Sequence, residues 1–277
     1  MKKIFLSLAL AVSVMASAQV FEVGQLTKLN TPTDTDVKVA GVSADGSYVL
    51  ITNGSNHGLR RYDVATGKTT TISTAAGAGY NVQISKDGQE LVYRETSFDT
   101  QGLRRSDIIR LDLTTSKTAT IAEGQRDMMA MASTGAKVSV SINDRKIVLN
   151  KNGKNIILAP NGSNESYIWP SVSPDGTKLC YYVCGNGCWV ANLDGSGKQF
   201  IGHDCRAAQW YDNNTLVAMA DEDDGHFTTA SAIVAYTLDG KKQVLTNDSM
   251  IAMYPYAANN AIVFSTIEGE TYMLNVK

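Results

Sequence analysis

The sequence predicts an all-β fold, a six-bladed β-propeller of four-stranded blades whose ring is closed by its own N-terminal strand. Three observations carry this. A Ser-x-Asp-Gly turn recurs along the chain at a step of 37–48 residues. The stretches around each turn alternate between apolar and polar residues with the period of two that marks strands. The last repeat is one strand short, and the N-terminal region supplies a spare one.

Residues 1–18 read as a secretory signal peptide, with cationic Met1-Lys2-Lys3, an apolar run from Ile4 to Val14, and a small-residue cleavage site at Ala16-Ser17-Ala18. The apolar run is about half the ~20 residues needed to cross a bilayer. Residues 19–277 then form a single propeller domain, in the periplasm or outside the cell.

The turn is explicit at Ser43-Ala44-Asp45-Gly46, Ser85-Lys86-Asp87-Gly88 and Ser173-Pro174-Asp175-Gly176. A degenerate copy falls at Ser133-Thr134-Gly135. Two more are marked by the apolar strands downstream of them: Tyr211-Asp212-Asn213-Asn214 before Leu216, and Ala257-Ala258-Asn259-Asn260 before Ile262. The downstream halves match as well. Leu59–Ile72 aligns without gaps to Ile108–Ile121, sharing Arg61/Arg110, Asp63/Asp112, Thr66/Thr115 and Lys68/Lys117. In the fourth unit the strands are expected at Tyr167–Ser173, Lys178–Cys184, Cys188–Asn192 and Lys198–Ile201. The sixth unit offers Ile262–Ser265 and Thr271–Asn275 and then stops at Lys277, while Gly24–Asn30 resembles the fourth strands of other units. Pairing the two closes the ring and removes a free sheet edge. Two packed β-sandwiches would explain neither the period nor the spare strand.

The run Trp169-Pro170-Ser171-Val172-Ser173-Pro174-Asp175-Gly176-Thr177-Lys178-Leu179-Cys180-Tyr181-Tyr182 resembles the Pro-Asp-Gly repeat of the TolB-type β-propellers, relatives of the WD-repeat propellers. The resemblance implies six blades. It leaves function open, because such propellers serve as scaffolds, ligand platforms and accessory domains of hydrolases.

Composition narrows the function classes. The net charge is −2, or −4 without Lys2 and Lys3. A chain with no cation excess is poorly suited to displacing phosphate counterions, which argues against nucleic-acid binding. The sequence carries no Gly-x-Ser-x-Gly elbow, His-Glu-x-x-His pair or Gly-x-x-x-x-Gly-Lys-Ser/Thr loop. No catalytic residue and no cofactor is assigned.

All four cysteines, Cys180, Cys184, Cys188 and Cys205, lie within 26 residues. In an exported chain they read first as disulfides, Cys184–Cys188 across a tight Gly-Asn-Gly turn and Cys180–Cys205 from the remainder. Free buried thiols are the alternative. A zinc site from Cys184, Cys188, His203 and Cys205 has less common ligand spacing.

In a propeller the turns between first and second strands, and between third and fourth, lie on one face. Here they are uniformly tight, as in Asp175-Gly176 and Asp239-Gly240. The connections on the other face are long and variable: Asn53–Gly58, Glu95–Asp107, Gly185–Gly187 and Ala220–Ser231. Binding usually resides in such loops. The candidate site residues all lie there: His57, Phe98, Arg104, Arg105, His203, Asp221, Asp223, Asp224 and His226. The arginines suit an anionic group. The acidic run Asp221–Asp224 misses the register of a calcium loop, so no metal is assigned. Met128-Met129-Ala130-Met131 falls on an expected innermost strand, as core or channel lining.

The reading is an exported, monomeric, non-catalytic binding or scaffold propeller of the cell envelope. Its ligand would be an envelope protein segment, a peptide or a polysaccharide, bound on the long-loop face. The alternative is a propeller lyase or hydrolase acting on polysaccharide.

Overall fold

A computed structural model describes residues 19–32, 36–125, 138–152 and 154–277. The expected signal peptide, the degenerate turn copy and the Met128–Met131 strip lie outside the described residues. The chain forms six small antiparallel sheets in a ring. Blade one is β2 (Lys38–Val42), β3 (Tyr48–Thr52), β4 (Leu59–Asp63) and β5 (Thr69–Ser73). Blade two is β6 (Gln83–Ile84), β7 (Glu90–Phe98), β8 (Arg104–Asp112) and β9 (Lys117–Gln125). The described part of blade three is β10 (Val138–Asn143), β11 (Lys146–Lys151) and β12 (Lys154–Leu158). Blade four is β13 (Tyr167–Val172), β14 (Lys178–Val183), β15 (Gly187–Asn192) and β16 (Gln199–Gly202). Blade five is β17 (Arg206–Trp210), β18 (Thr215–Asp223), β19 (Thr228–Thr237) and β20 (Lys242–Val244). Blade six is β21 (Ala252–Ala258), β22 (Ala261–Thr266) and β23 (Thr271–Val276), completed by β1 (Val23–Leu29).

The ring closes as the sequence predicts. β1 runs antiparallel to β23, from Val23 opposite Val276 to Leu29 opposite Thr271. Glu22 and Lys277 exchange both backbone hydrogen bonds, at 2.9 and 3.0 Å. The segment before β1 is fixed too: Val20 and Phe21 donate their N–H groups to Gln243 Oε1 at 2.6 and 2.7 Å. Phe21 is buried between blades five and six.

Apolar packing is distributed around the ring as wedges between neighbouring blades. β3 shows why its period of two is needed. Tyr48 and Leu50 pack toward blade two, with Leu91 and Tyr93. Val49 and Ile51 pack the opposite way, toward Val263 of blade six. Both sheet faces are thus covered, and each such side chain contributes about 1.5–3 kcal/mol by leaving water.

The recurring turn has one mechanism in its three full copies. The serine hydroxyl accepts the N–H of the residue five further on, in Tyr48→Ser43 (3.1 Å), Glu90→Ser85 (2.8 Å) and Lys178→Ser173 (2.9 Å). The aspartate accepts the N–H two residues on, as in Thr177→Asp175 at 3.0 Å. The glycine sits at φ 69–73°, in the left-handed region that a side chain disfavours. The serine hydroxyl, donating to Asp87 and to Asp175 at 2.6 Å, and the N–H two residues on, which leads at Asp45, hold the three carboxyls below the ordinary range.

Candidate functional site

The long-loop face differs from expectation at its two longest segments. Glu95–Asp107 and Ala220–Ser231 are mostly strand, continuing β7/β8 and β18/β19 into protruding hairpins with short tips. The ladder runs to Phe98 opposite Arg104 in one, and to Asp223 opposite Thr228 in the other. Polar residues can occupy strands where neither face is covered, so their polarity read as loop. In a six-membered ring, blades two and five stand opposite one another. Each hairpin presents an exposed phenylalanine, Phe98 at 68% and Phe227 at 74%.

The predicted site residues do not form one cluster. His57 is exposed in the blade-one connection, with its N–H bonded to Asn53 Oδ1 at 2.8 Å. His203 follows β16, exposed, with its ring 4.9 Å from that of Phe200. His226 is exposed at the blade-five tip. Arg104 is exposed, whereas Arg105 is paired with Asp99 at 2.5 Å. Asp224 closes the tip by accepting the N–H groups of His226 and Phe227 at 2.9 and 2.8 Å, which lowers its pKa. Asp223 accepts from Gly225 N–H at 2.9 Å. Among the described residues no group of three His, Cys, Asp or Glu is placed to hold a metal ion.

The expected cysteine pairs are not formed either; all four thiols are free. The turn after β14 begins at Cys184, which is therefore exposed and outside the ladder. Cys188 stands opposite Tyr182 and turns inward, its Sγ 3.5 Å from that of Cys180. Cys205 is buried in the same cluster between blades four and five. The pair closest to bridging is therefore Cys180–Cys188. The contact with Cys188, reinforced by burial, holds the Cys180 thiol well above its ordinary pKa. Protonated and enclosed, it behaves as a small apolar group.

One predicted residue, Asp221, leads to the axis. It pairs with Arg206 at 2.8 Å, and its side chain is only 6% exposed. Burial raises its pKa against the opposing pull of Arg206. The pairing is incomplete: Asp221 Oδ1 and Arg206 Nε are buried without a hydrogen-bond partner among the described residues. Arg206 lies over the ring of Trp169, 5.4 Å from its centroid.

Trp169 belongs to a repeated distortion. The innermost strands of blades one, four, five and six all slip register, between Val39 and Gly41, Ile168 and Ser171, Arg206 and Gln209, and Met253 and Tyr256. Trp169, Ala207 and Tyr254 there adopt φ of 49°, 50° and 54°, and Asn81 before β6 adopts 53°. Asn81, Trp169 and Ala207 lie four residues before their blade's turn, and Tyr254 three. A left-handed backbone costs about 1–2 kcal/mol per residue and is rare for bulky side chains. Bulges at such positions re-aim side chains. Pro170 and Pro255 follow two of them, on strands whose inner edge faces the channel and needs no ladder donor.

The re-aimed residues line an axial funnel on the hairpin face, with a cavity of about 140 Å³. That is close to the volume that takes one six-membered ring. Its walls carry Tyr80, Trp169, Tyr254 and the amides of Asn56, Asn81 and Gln209. Each of the three rings has a cation against it: Arg94 on Tyr80 at 5.4 Å, Arg206 on Trp169, and Lys38 on Tyr254 at 4.8 Å. Among the described residues Lys38 is the one charged residue lining the cavity itself, and burial lowers its pKa.

No protein-family model matches the chain, and no curated protein matches it significantly. Solved structures do. An oligogalacturonate lyase in complex with manganese superposes with a TM-score of 0.55 at 14% identity, covering 93% of this chain and 96% of that one. A protein assigned as TolB from Agrobacterium tumefaciens gives 0.61 at 16% identity, over 91% and 96%. A protein of unknown function from Bacteroides thetaiotaomicron gives 0.63 at 8%, over 91% and 76%. The chain has the TolB-type propeller fold.

In this propeller the funnel opens on the long-loop face to which the sequence pointed, but none of its aromatic walls was singled out from the sequence. Lys38, Tyr80, Trp169, Arg206, Gln209 and Tyr254 come from five different blades or their connections and share no local motif. One signal was present: an aromatic followed by proline, three or four residues before the turn, at Trp169-Pro170 and Tyr254-Pro255. Among the described residues no helix is long and apolar enough to cross a membrane.

Proposed function

We propose that this chain is an exported, non-catalytic binding propeller of the cell envelope, which holds a protein segment or an envelope polymer on its hairpin face. One observation carries the reading. An aromatic, cation-backed funnel opens between two opposed hairpins, and strained backbone is maintained in several blades to build it. Strain of this kind persists where the surroundings over-determine it, and it clusters at binding sites. The hairpins bring the opposite charges of Arg104 and of Glu222 and Asp223, with an exposed phenylalanine on each, to the two sides of the opening. Export rests on the tripartite pattern of residues 1–18.

The test is crosslinked affinity capture of the tagged mature protein from its own envelope extract. One partner near stoichiometry is expected. It should be lost when residues 99–103 or 224–227 are replaced by a two-residue turn. Capture that survives both replacements would contradict the reading.

A second reading, a polysaccharide lyase, draws on two observations. Burial lowers the pKa of Lys38, the direction a lysine base requires. The fold is also shared with an oligogalacturonate lyase. Incubation with polygalacturonate should then yield an unsaturated product absorbing in the ultraviolet, lost in Lys38→Gln.

A further inference from the structure

The geometry points to a carboxylate site at Lys38: the funnel takes the free C-terminal carboxylate of a peptide chain, with the last side chain lodged between the rings. This deepens the binding reading given above and rests on it.

Lys38 opens β2 at the funnel wall, partly buried over the Tyr254 ring. No carboxylate pairs with it among the described residues; the nearby Asp221 is taken by Arg206. A desolvated ammonium without a counter-ion is costly, and a bound monoanion offsets that cost. The other two cations do not line the cavity. Arg94 and Arg206 lie against the rings of Tyr80 and Trp169, so among the described residues the cavity offers a single positive point rather than a forked cluster. One ammonium suits one carboxylate. A phosphate dianion calls for more donors, commonly arginine forks or a helix N-terminus, and none lines this cavity.

Size and polarity then favour a chain end. About 140 Å³ admits one ring-sized side chain beside the carboxylate, not a run of residues. Gln209 and the Tyr254 hydroxyl line the cavity and make no hydrogen bond among the described residues. They remain available to the terminal peptide group. Upstream residues would leave the funnel between the hairpins, where Phe98 and Phe227 are exposed for apolar contact. Terminal-carboxylate capture is an established mode of peptide recognition.

The experiment uses the mature protein, immobilised, and two pools of the same random heptapeptides, one with free C-termini and one amidated. Bound peptides are read by mass spectrometry, and selected ones are titrated by calorimetry against wild type, Lys38→Gln and Lys38→Arg. Melting curves confirm that each variant is folded. Enrichment of free acids ending in an apolar or aromatic residue is expected. Lys38→Gln should weaken them by about tenfold or more, the scale of one charge-assisted hydrogen bond, and Lys38→Arg should largely restore binding. Equal enrichment of amidated peptides, or binding indifferent to Lys38→Gln, would overturn the carboxylate site and leave peptide binding on this face standing. No peptide from either pool, with Lys38-dependent binding of an oligohexuronate instead, would overturn the peptide assignment and keep a polymer ligand. No binding to peptide or oligohexuronate would overturn the carboxylate site and remove the support for a binding propeller together.

Discussion

The two faces of the ring are built from the same strands and differ in where they place left-handed backbone: in turns on one side, and also inside strands on the other. On the tight-turn face, serine and aspartate side chains satisfy the N–H groups of the turn, and glycine takes the left-handed position. On the hairpin face glycines such as Gly102 and Gly225 serve the tips in the same way, but left-handed backbone also falls inside the innermost strands, at Trp169, Ala207 and Tyr254, and a buried ion pair has no further partner among the described residues at Arg206 Nε and Asp221 Oδ1. One face spends its local chemistry on holding the ring. The other accepts strain to point aromatic rings at the axis. Left-handed backbone inside strands, at bulky residues, is the kind of strain on which the proposed binding face rests.

The largest effect should come from opening the ring that both faces share. Removing residues 19–30 strips β23 of its partner and takes Phe21 and Leu29 from the core. A loss of about 5 kcal/mol or more is expected, comparable to the whole stability of many domains. Strand-exchanged oligomers at the bared edge should accompany it. Thermal melting and size-exclusion chromatography would report both.

On the hairpin face, Arg206→Met leaves the Asp221 carboxyl buried without its partner. The expected cost is about 2 kcal/mol, below that of a fully buried pair because Arg206 is a third exposed. The pH dependence has a definite sign. The Asp221 pKa in the fold already lies above its unfolded value of 3.8. The folded state therefore binds the proton more readily, and stability rises as pH falls through that raised value. Urea melts should show the Arg206→Met defect shrinking toward acid pH. A defect that grows there would contradict the assignment.

Two smaller substitutions set the faces directly against each other. Gly176→Ala meets no atom within 4 Å of the new methyl group, so its cost is the left-handed backbone alone, about 1–2 kcal/mol. Ala207→Gly at φ 50° gains about that much by relieving strain. It loses roughly 0.8 kcal/mol of methyl burial and about 0.4–1 kcal/mol through the freer unfolded chain. A net change within about 0.5 kcal/mol is expected by chemical denaturation. Equal losses at both positions would remove the contrast between the faces.

The same contrast explains what the sequence made legible. Ser43, Ser85 and Ser173 announce themselves because their hydrogen bonds close within five residues, so the pattern is local and repeats. The closing strand was readable because Gly24–Asn30 looks like the fourth strands that blade six lacks. The hairpin extensions were not, since Glu95–Phe98 and Arg104–Asp107 carry charges on a sheet with uncovered faces. The cysteine geometry turns on a single residue of register: the turn starts at Cys184, so Cys188 stands opposite Tyr182 and meets Cys180 diagonally, Sγ to Sγ at 3.5 Å. The funnel was out of reach for a different reason. Lys38 and Tyr254 are 216 positions apart and meet only because the ring closes.

The central claim is that the hairpin face, at its funnel, is where this protein binds. Its most direct test is a photo-crosslinking amino acid placed at Asn56, beside the funnel, or at Thr177, on the tight-turn face, and irradiated in native envelope extract. Discrete adducts from position 56 and none from position 177 are predicted. Adducts from position 177 alone, or equally from both, would contradict the account.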